Sequence, residues 1–226
     1  MLAGAADAAL ATMRRRRPDA LAGRFAALER DRLVATALAW LEYERGRGDF
    51  EVAATERKIA VAFGGVSANV KLDRMDRLPG GGCAVIDYKT GAARVGAWLG
   101  ARPDEPQLPM YALGSGEDVA AIAFARVKPG ENAFKGLARE ENLLPGTTLV
   151  SKDRSHLAAA YADWSQLREG WQRELDALGR AFATGDARLD PKYGLATCGG
   201  CAERLVCRVA ELGLPEQDDG EGAPGE

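Results

Sequence analysis

The sequence predicts an α/β fold, in which a β-sheet is flanked by helices, on three observations. Strand-like segments in the first half of the chain are separated by the turn signals Gly64-Gly65 and Pro79-Gly80-Gly81-Gly82. Apolar residues recur at helical spacing on either side of these segments. The segment 119–127 (VAAIAFARV) is almost uniformly apolar, as a buried strand is. At 226 residues the chain is long enough for one substantial domain.

The elements can be placed in order along the chain. An amphipathic helix, or two in succession, is predicted for 18–46, and strands for 50–63, 66–78 and 83–89, which we expect to form an antiparallel meander. A short helix at 105–113, a buried strand at 119–127, a strand at 134–140 and a long amphipathic helix at 155–184 follow. Residues 1–17 are predicted to be a basic tail, and the acidic, Gly- and Pro-containing residues 213–226 a disordered tail.

Composition excludes several classes of protein. With 30 basic and 33 acidic residues the net charge is -3, which excludes a globally basic nucleic-acid coat but leaves open a local basic groove. No apolar run has the length of a membrane span, and none follows Arg14 to Arg17 as in a secretory signal. The sequence therefore predicts a cytoplasmic protein without a membrane partner. The arginine run could contact phosphates, although a solvated, frayed terminus explains it more simply.

Three of the four cysteines lie within ten residues, CGGCAERLVC. Cys198, Cys201 and Cys207 form a C-x2-C-x5-C pattern, which is typical of zinc and iron-sulfur sites because thiolates are strong, soft ligands. Such sites need four ligands, so one is not accounted for. Cys83 is more simply explained as a small buried residue.

Charged residues end the apolar strand at 83–89. Asp87 and Lys89 lie two residues apart, so both side chains point to one face, where they need partners. Asp73 or Asp76 on the preceding strand could face Asp87 and share a divalent cation with it. Strict alternation favours Asp73, because Asp76 points the other way. On spacing alone, both the D-x-K pattern and LDRMDR mark surface salt bridges more often than a catalytic site.

Four motifs in order resemble one known family. GGVSANVKLDRMDRLPGGGCAVIDYKTG, then PQLPMYAL and CGGCAERLVC, are similar to the PD-(D/E)XK nuclease superfamily, in particular its RecB-like branch with the AddB nuclease domain. The resemblance spans roughly residues 50 to 210. It implies a restriction-endonuclease-like fold, in which a mixed β-sheet is flanked by helices, with 18–212 as the nuclease domain. It also implies a metal-dependent DNA nuclease, expected to be an exonuclease, in DNA repair or recombination.

The resemblance also assigns roles to residues. Asp73, Asp87 and the backbone carbonyl of Tyr88 would bind Mg²⁺ or Mn²⁺, and Lys89 would position the attacking water. Glu56 would be a further acid near the metal, although a solvent-facing Glu beside Arg57 and Lys58 explains it equally well. Gln107 and Tyr111, spaced i, i+4, would reach the metal-bound water or the DNA. Without the family, an exposed Gln and a buried Tyr would be the simpler interpretation.

In the family, Cys198, Cys201 and Cys207 would join an upstream cysteine in a [4Fe-4S] cluster. No such cysteine is visible here, so we expect the chain to be the C-terminal module of a longer RecB/AddB-like protein that works with a helicase domain or subunit. An incomplete cluster or zinc is the alternative. The only histidine, His156, is expected to be a surface or capping residue. The alternative function is a catalytically weak or inactive DNA-binding or scaffolding domain that retains the nuclease fold.

Overall fold

The computed structural model describes residues 1–17, 21, 23–152 and 160–212, apart from the side chains of residues 204, 205, 210 and 212. Its helices are α1 (Leu2–Arg16), α2 (Gly23–Glu44), α3 (Gln107–Gly114), α4 (Trp164–Ala183) and the short α5 (Arg204–Cys207). Its strands are β1 (Glu51–Thr55), β2 (Lys58–Phe63), β3 (Val66–Lys71), β4 (Arg74–Arg77), β5 (Cys83–Lys89), β6 (Val119–Arg126), β7 (Ala133–Ala138) and β8 (Thr147–Leu149). Four single turns of 3-10 helix cover Val95–Trp98, Val150–Lys152, Gly194–Cys198 and Val209–Leu212.

Six strands form one mixed sheet in the order β1-β4-β5-β6-β7-β8. The pairs β5–β6 and β7–β8 are parallel, and the other neighbours are antiparallel. A parallel pair needs a crossover, which here includes α3 and packs it against one face of the sheet. The predicted fold class, a mixed α/β sheet flanked by helices, is confirmed.

The predicted meander is wrong in one respect, because each of its first two strands divides. The first half of segment 50–63 (β1) and the second half of segment 66–78 (β4) belong to the main sheet. The other two halves, β2 and β3, pair in a separate two-stranded sheet. Glu56, at the first break, adopts a left-handed backbone with φ of 54°. At this level Glu56 N donates to Asp73 O (3.0 Å) and Leu72 N donates to Arg57 O (2.9 Å), so both strands change sheets together.

One face of the main sheet packs against α3, α4 and the β2–β3 hairpin. Its core includes Val85, Phe124, Trp98 and Trp171, all at most 1% exposed, and the Trp171 indole donates to Trp98 O (2.8 Å). Helix α4 begins where the Asp163 carboxylate accepts from Gln166 N (2.9 Å). Its described start lies nine residues beyond the predicted one, while residues 153–159, with His156, lie outside the described residues.

The hairpin turn and α4 approach very closely. A Cβ atom on Gly179 of α4 would lie 2.0 Å from Phe63 O, so only glycine fits there. Gly64 and Gly65 both have positive φ, as a two-residue hairpin turn of the I′ kind requires. Gly64 N also donates to the Asp176 carboxylate of α4 (2.9 Å). The hairpin is therefore fixed to α4 by main-chain contacts.

The opposite face of the sheet receives the C-terminal end of α2. Trp40 packs edge-on against Phe134, with ring centroids 5.0 Å apart, and against Tyr88 (5.9 Å), while Ile86 lies buried beneath. Residues 1–17 are not the frayed tail that the arginine run suggested. They form α1, which buries Ala6 and Leu10 and is tied to α2 by an ion pair between Asp7 and Arg30 (2.7 Å).

In the described ranges, no helix is long and apolar enough to cross a membrane. The predicted disordered tail, 213–226, lies outside the described residues.

Candidate active site

Two charged side chains end the inner face of β5, as the period of two predicted. Cys83 and Val85 on this face belong to the core beneath α3 and α4, and Asp87 and Lys89 continue the same face. Asp87 is only 8% exposed, and its Oδ2 atom lies 3.2 Å from Lys89 Nζ. This contact is not a well-directed hydrogen bond, and Oδ2 has no other partner among the described residues. A nearly buried carboxylate oxygen is thus left available.

Asp73 lies beside Asp87, in the short break between β3 and β4. Its Oδ2 atom accepts from Tyr88 N (2.9 Å), the amide that follows Asp87, and its carbonyl accepts from Glu56 N. Asp73 is therefore held by the main chain on both sides. The structure brings Asp73, and not Asp76, to Asp87, as alternation along the strand predicted.

The environment of Asp87 favours its neutral form. Burial raises its pKa above the usual value, and the nearby carboxylates of Asp73 and Glu105 raise it further, while Lys89 opposes the shift. A cation between the two aspartates would reverse this balance, because it would stabilise both charges. Carboxylates that are crowded and poorly neutralised are characteristic of functional sites.

Glu105 is a member of this cluster that the sequence analysis missed. Its carboxylate lies 2.6 Å from Lys89 Nζ, closer than Asp87. Burial opposes the charge on Lys89, but the hydrogen bond to Glu105 and the charge of Asp87 outweigh it, and the pKa of Lys89 lies above its usual value. The only available signal was that Glu105 precedes Gln107 by two residues, in a loop whose path the sequence does not reveal.

Gln107 borders the site, whereas Tyr111 does not reach it. Gln107 Nε2 donates to Lys71 O (2.5 Å), which ties the first turn of α3 to the chain just before Asp73. Tyr111 is 1% exposed and its hydroxyl has no partner among the described residues. Burial raises the pKa of Tyr111. The charged side chains that act on this pKa, Arg57 and Glu117, lie near the opposite end of β5. The alternative of a buried tyrosine describes Tyr111 in this structure.

Glu56 is near the site through its backbone only. Its side chain is exposed and pairs with Lys71 on the surface. The solvent-facing alternative describes its position here. Three oxygen donors remain close together: the carboxylates of Asp73 and Asp87 and the main chain at Tyr88.

Arg74 and Asp76 of LDRMDR lie in a buried charge network, whereas Arg77 forms a surface salt bridge with Glu51, of the kind that spacing alone favoured. Arg74 binds Asp76 through two bonds (2.6 and 3.0 Å) and Glu44 of α2 (2.9 Å), and Arg47 bridges the same two acids (3.1 Å to Glu44 and 2.8 Å to Asp76). Asp76 is 0% exposed. Arg74 also donates to the Tyr88 hydroxyl (2.9 Å). The network thus joins α2 to the strand end that carries Asp87.

Comparison with known proteins decides the family. The family model described as the PD-(D/E)XK nuclease superfamily matches residues 2–208, nearly the whole chain. The chain belongs to the PD-(D/E)XK nuclease superfamily. Membership implies metal-dependent nuclease activity, and the match includes α1, which the sequence analysis had left outside the domain.

No curated protein matches the chain. Among solved structures, one titled "Crystal structure of SSO0001" is similar at 15% identity, with 60% of this chain and 63% of that chain covered and a TM-score of 0.29. The matched part of this chain thus spans less than two thirds of that protein.

The donor set in this PD-(D/E)XK chain suits a hard divalent cation. Nucleases of the superfamily typically use Mg²⁺ or Mn²⁺, which prefer carboxylate and carbonyl oxygens. Asp87 Oδ2 is buried without a hydrogen bond, and the Asp73 carboxylate is fixed next to it, so the residues present fit such an ion. Within the described residues no group of three or more His, Cys, Asp or Glu side chains is arranged as a complete metal site.

The C-terminal cysteines are not gathered into a ligand set. Cys201 is exposed, Cys198 and Cys207 are half-buried, and all three are free thiols. Among the described residues these thiols do not form a group of three or more possible metal ligands. Cys83 is buried, as predicted, and burial raises the pKa of its thiol.

Proposed function

We propose that this chain is a metal-dependent deoxyribonuclease that hydrolyses phosphodiester bonds at the C-terminal end of β5. One observation carries the proposal: Asp73, Asp87 and Lys89 meet there, and the Asp73 carboxylate is bonded to the amide next to Asp87. A scaffold for the sheet alone has no need of two adjacent carboxylates, one of them nearly buried and without a hydrogen bond.

Each residue then has a role. Asp73 and Asp87, with the Tyr88 carbonyl, would hold Mg²⁺ or Mn²⁺, and the bound ion would supply Lewis-acid stabilisation of phosphate charge and lower the pKa of a water molecule. Lys89 carries its positive charge next to this pair, where it orients water and offsets charge on the phosphate. Gln107 positions the chain that leads into Asp73 through its bond to Lys71 O.

The test compares the wild type with Asp87→Asn and Asp73→Asn on labelled single- and double-stranded DNA with Mg²⁺, with Mn²⁺ and with EDTA. We expect metal-dependent cleavage by the wild type and a loss of at least about 10³-fold in either variant, as for groups that bind the catalytic metal. Glu51→Gln removes an exposed carboxylate that pairs only with Arg77 and serves as the matched control. Metal-independent binding without cleavage in all four proteins would instead favour the DNA-binding scaffold.

The finer assignments are also part of the proposal. We infer that the substrate is DNA cut from an end, in repair or recombination, in the cytoplasm and together with a helicase domain or subunit; the motifs shared with the RecB-like branch support this. Linear and covalently closed circular DNA of one sequence distinguish the modes of cleavage. Degradation of the circle at the rate of the linear form would show an endonuclease.

We propose in addition that Cys198, Cys201 and Cys207 bind an iron-sulfur cluster when a fourth ligand is supplied. The support is their C-x2-C-x5-C spacing and the thiolate preference of such clusters. Protein reconstituted anaerobically with iron, sulfide and a small thiol as the fourth ligand should bind iron and sulfide and absorb broadly in the visible range, and Cys201→Ser should do neither. Stoichiometric zinc without that absorbance would contradict the cluster.

A further inference from the structure

Helix α2 projects beyond the end of the sheet where the candidate active site lies. Its contacts with the sheet follow the direction of β5 toward the C-terminal end of that strand. Arg47, just after the helix, contacts Asp76. Glu44 contacts Arg74, and Trp40 contacts Tyr88. Arg74 is level with Ile86 on β5, so this path runs toward the Asp87 end of that strand. The rest of α2, from residue 39 back to Gly23, continues past it.

The projecting part forms a helical arm with α1. Within it, α2 buries only Ala26 toward α1, Leu10 of α1 is buried opposite, and Asp7 pairs with Arg30. At about 1.5 Å per residue, the 17 residue steps from Trp40 back to Gly23 span roughly 26 Å. The C-terminal end of α1, at Arg16, and the N-terminal end of α2, at Gly23, therefore lie at the far tip of the arm.

The tip of the arm is the most basic segment of an acidic chain. Residues 8–28 contain five arginines (Arg14, Arg15, Arg16, Arg17 and Arg24) and a single acid, Asp19, although the whole chain has a net charge of -3. All five arginines are exposed, and none forms an ion pair with a described residue. By contrast, three cations elsewhere on the surface are paired with acids: Lys128 with Glu131, Arg139 with Asp118 and Lys152 with Glu141.

Helix stability explains only part of this charge. Basic side chains in the last turn of α1 interact favourably with the helix dipole, and Arg14 Nε donates to Leu21 O (2.7 Å). Arg17 and Arg24 lie outside that turn. Met13, Phe25 and Leu28 are 55 to 58% exposed beside the arginines. Exposed cations next to an aromatic ring suit nucleic acid, because phosphates pair with the former and a base stacks on the latter.

We propose that the α1–α2 hairpin is a nucleic-acid-binding arm, whose tip grips the phosphate backbone of the substrate away from the point of cleavage. The inference rests on the proposed function, since it takes the substrate to be DNA at Asp87. At about 3.4 Å per base pair, 26 Å corresponds to roughly eight base pairs. The arm therefore contributes to binding only when DNA extends at least that far from the active site.

The experiment measures binding by the Asp87→Asn protein, so that cleavage does not interfere. Fluorescent duplexes of 6 and 20 base pairs are titrated at several salt concentrations, with and without Arg14, Arg15, Arg16 and Arg17 changed to Gln. We expect the changes to weaken binding of the long duplex at least tenfold and of the short one less than twofold. The slope of log K against log salt should fall by up to about 3.6, at 0.9 per lost phosphate contact.

Two control variants separate charge from shape. Changing the same four residues to Lys should restore most of the affinity, because phosphate contact needs the charge. Changing Arg168, Arg173, Arg188 and Arg208 to Gln removes the same net charge from α4 and the C-terminal segment and should leave the length dependence intact. Circular dichroism checks that α1 and α2 remain folded.

The outcomes for the arm and for the nuclease are distinct. If the folded Gln variant still binds the long duplex more tightly than the short one to the same degree as before, the proposal of a DNA-binding arm is wrong. This holds even if cleavage that depends on Asp87 is found. Arm-dependent binding without any cleavage overturns the nuclease and retains the arm. A change of oligomeric state in sedimentation, with DNA binding intact, would show that the exposed residues dock protein and would also overturn the proposal.

Discussion

The ammonium group of Lys89 lies 2.6 Å from the carboxylate of Glu105, in the loop that precedes α3. Both side chains are about one-third exposed, so water screens part of the attraction. The pair nevertheless fixes the direction in which Lys89 points. Since Lys89 is proposed to orient water at the metal, Glu105 acts as a positioning residue for it.

Glu105→Gln should lower kcat by about 10- to 100-fold, as loss of a supporting group usually does, with little change in KM. Because Glu105 raises the pKa of Lys89, its removal should lower that pKa and move the basic limb of the kcat profile to lower pH. The measurement is the pH dependence of steady-state cleavage. Glu117→Gln, which breaks the surface pair with Arg57, is the control. An unshifted profile in Glu105→Gln would remove Glu105 from the mechanism.

Tyr111→Phe should leave cleavage within about twofold of wild type and should not destabilise the protein, because the buried hydroxyl has no hydrogen-bond partner in the described part of the chain. Gln107→Ala should lower kcat, since its bond to Lys71 O supports the chain before Asp73. Paired kinetic and thermal-melting measurements check both. A large loss of activity in a stable Tyr111→Phe protein would restore the direct role that the Q-x-x-x-Y resemblance implied.

Asp87→Asn should stabilise the metal-free protein at neutral pH. The pKa of Asp87 is raised in the folded state, so the folded chain binds this proton more tightly than the unfolded chain. The contribution of Asp87 to the free energy of unfolding is therefore greatest at low pH. It is lost as the pH rises through the pKa of Asp87 in the folded state. We expect an increase in Tm of about 2–4 °C at pH 7, equivalent to about 1 kcal/mol in a chain of this size. Melting curves in EDTA measure it.

Two further features of those melting curves test the cause. The difference in Tm between Asp87→Asn and the wild type should shrink at low pH. There, Asp87 of the wild type is protonated in both the folded and the unfolded state. Mg²⁺ should raise the Tm of the wild type and have little effect on the variant, because binding to the folded state stabilises it. A difference that does not depend on pH would show that burial of charge at Asp87 is not its origin.

Asp76→Asn should destabilise the protein by about 3–5 kcal/mol, because it leaves the buried Arg74 and Arg47 incompletely neutralised. Glu51→Gln breaks an exposed ion pair with Arg77, the residue next to Asp76 on β4. It should lower the free energy of unfolding by at most about 1 kcal/mol. Urea unfolding of both variants gives the comparison. Equal effects would mean that the buried network contributes no more than a surface pair.

The sequence was informative where local chemistry decides structure. The glycine turn before β5 and the alternation within it placed Asp87 and Lys89 on one face, and alternation selected Asp73 over Asp76. It was uninformative where tertiary pairing decides. No Gly or Pro marks the break at Glu56 and Arg57, so the strands seemed continuous, and their division depends on which partner each half finds.

Contacts between distant residues were beyond reach for the same reason. Glu44 and Arg74 are 30 residues apart, and nothing local shows that they meet in the interior. The arginine run concealed α1, whose buried side is only a narrow stripe containing Ala6 and Leu10. Tyr111 shows the limit of a shared motif: its position in the sequence matches, while its hydroxyl lies in the core.

The close contact of the β2–β3 hairpin with α4 has a consequence for how this enzyme can change. Asp73 is bonded to Glu56 at the base of the hairpin, and the hairpin tip is bonded to Asp176 of α4 through Gly64. These bonds connect α4, through the hairpin, to the carboxylate that we propose binds the metal. If Asp73 has that role, substitutions on the surface of α4 should change metal affinity although the helix contributes no proposed catalytic group.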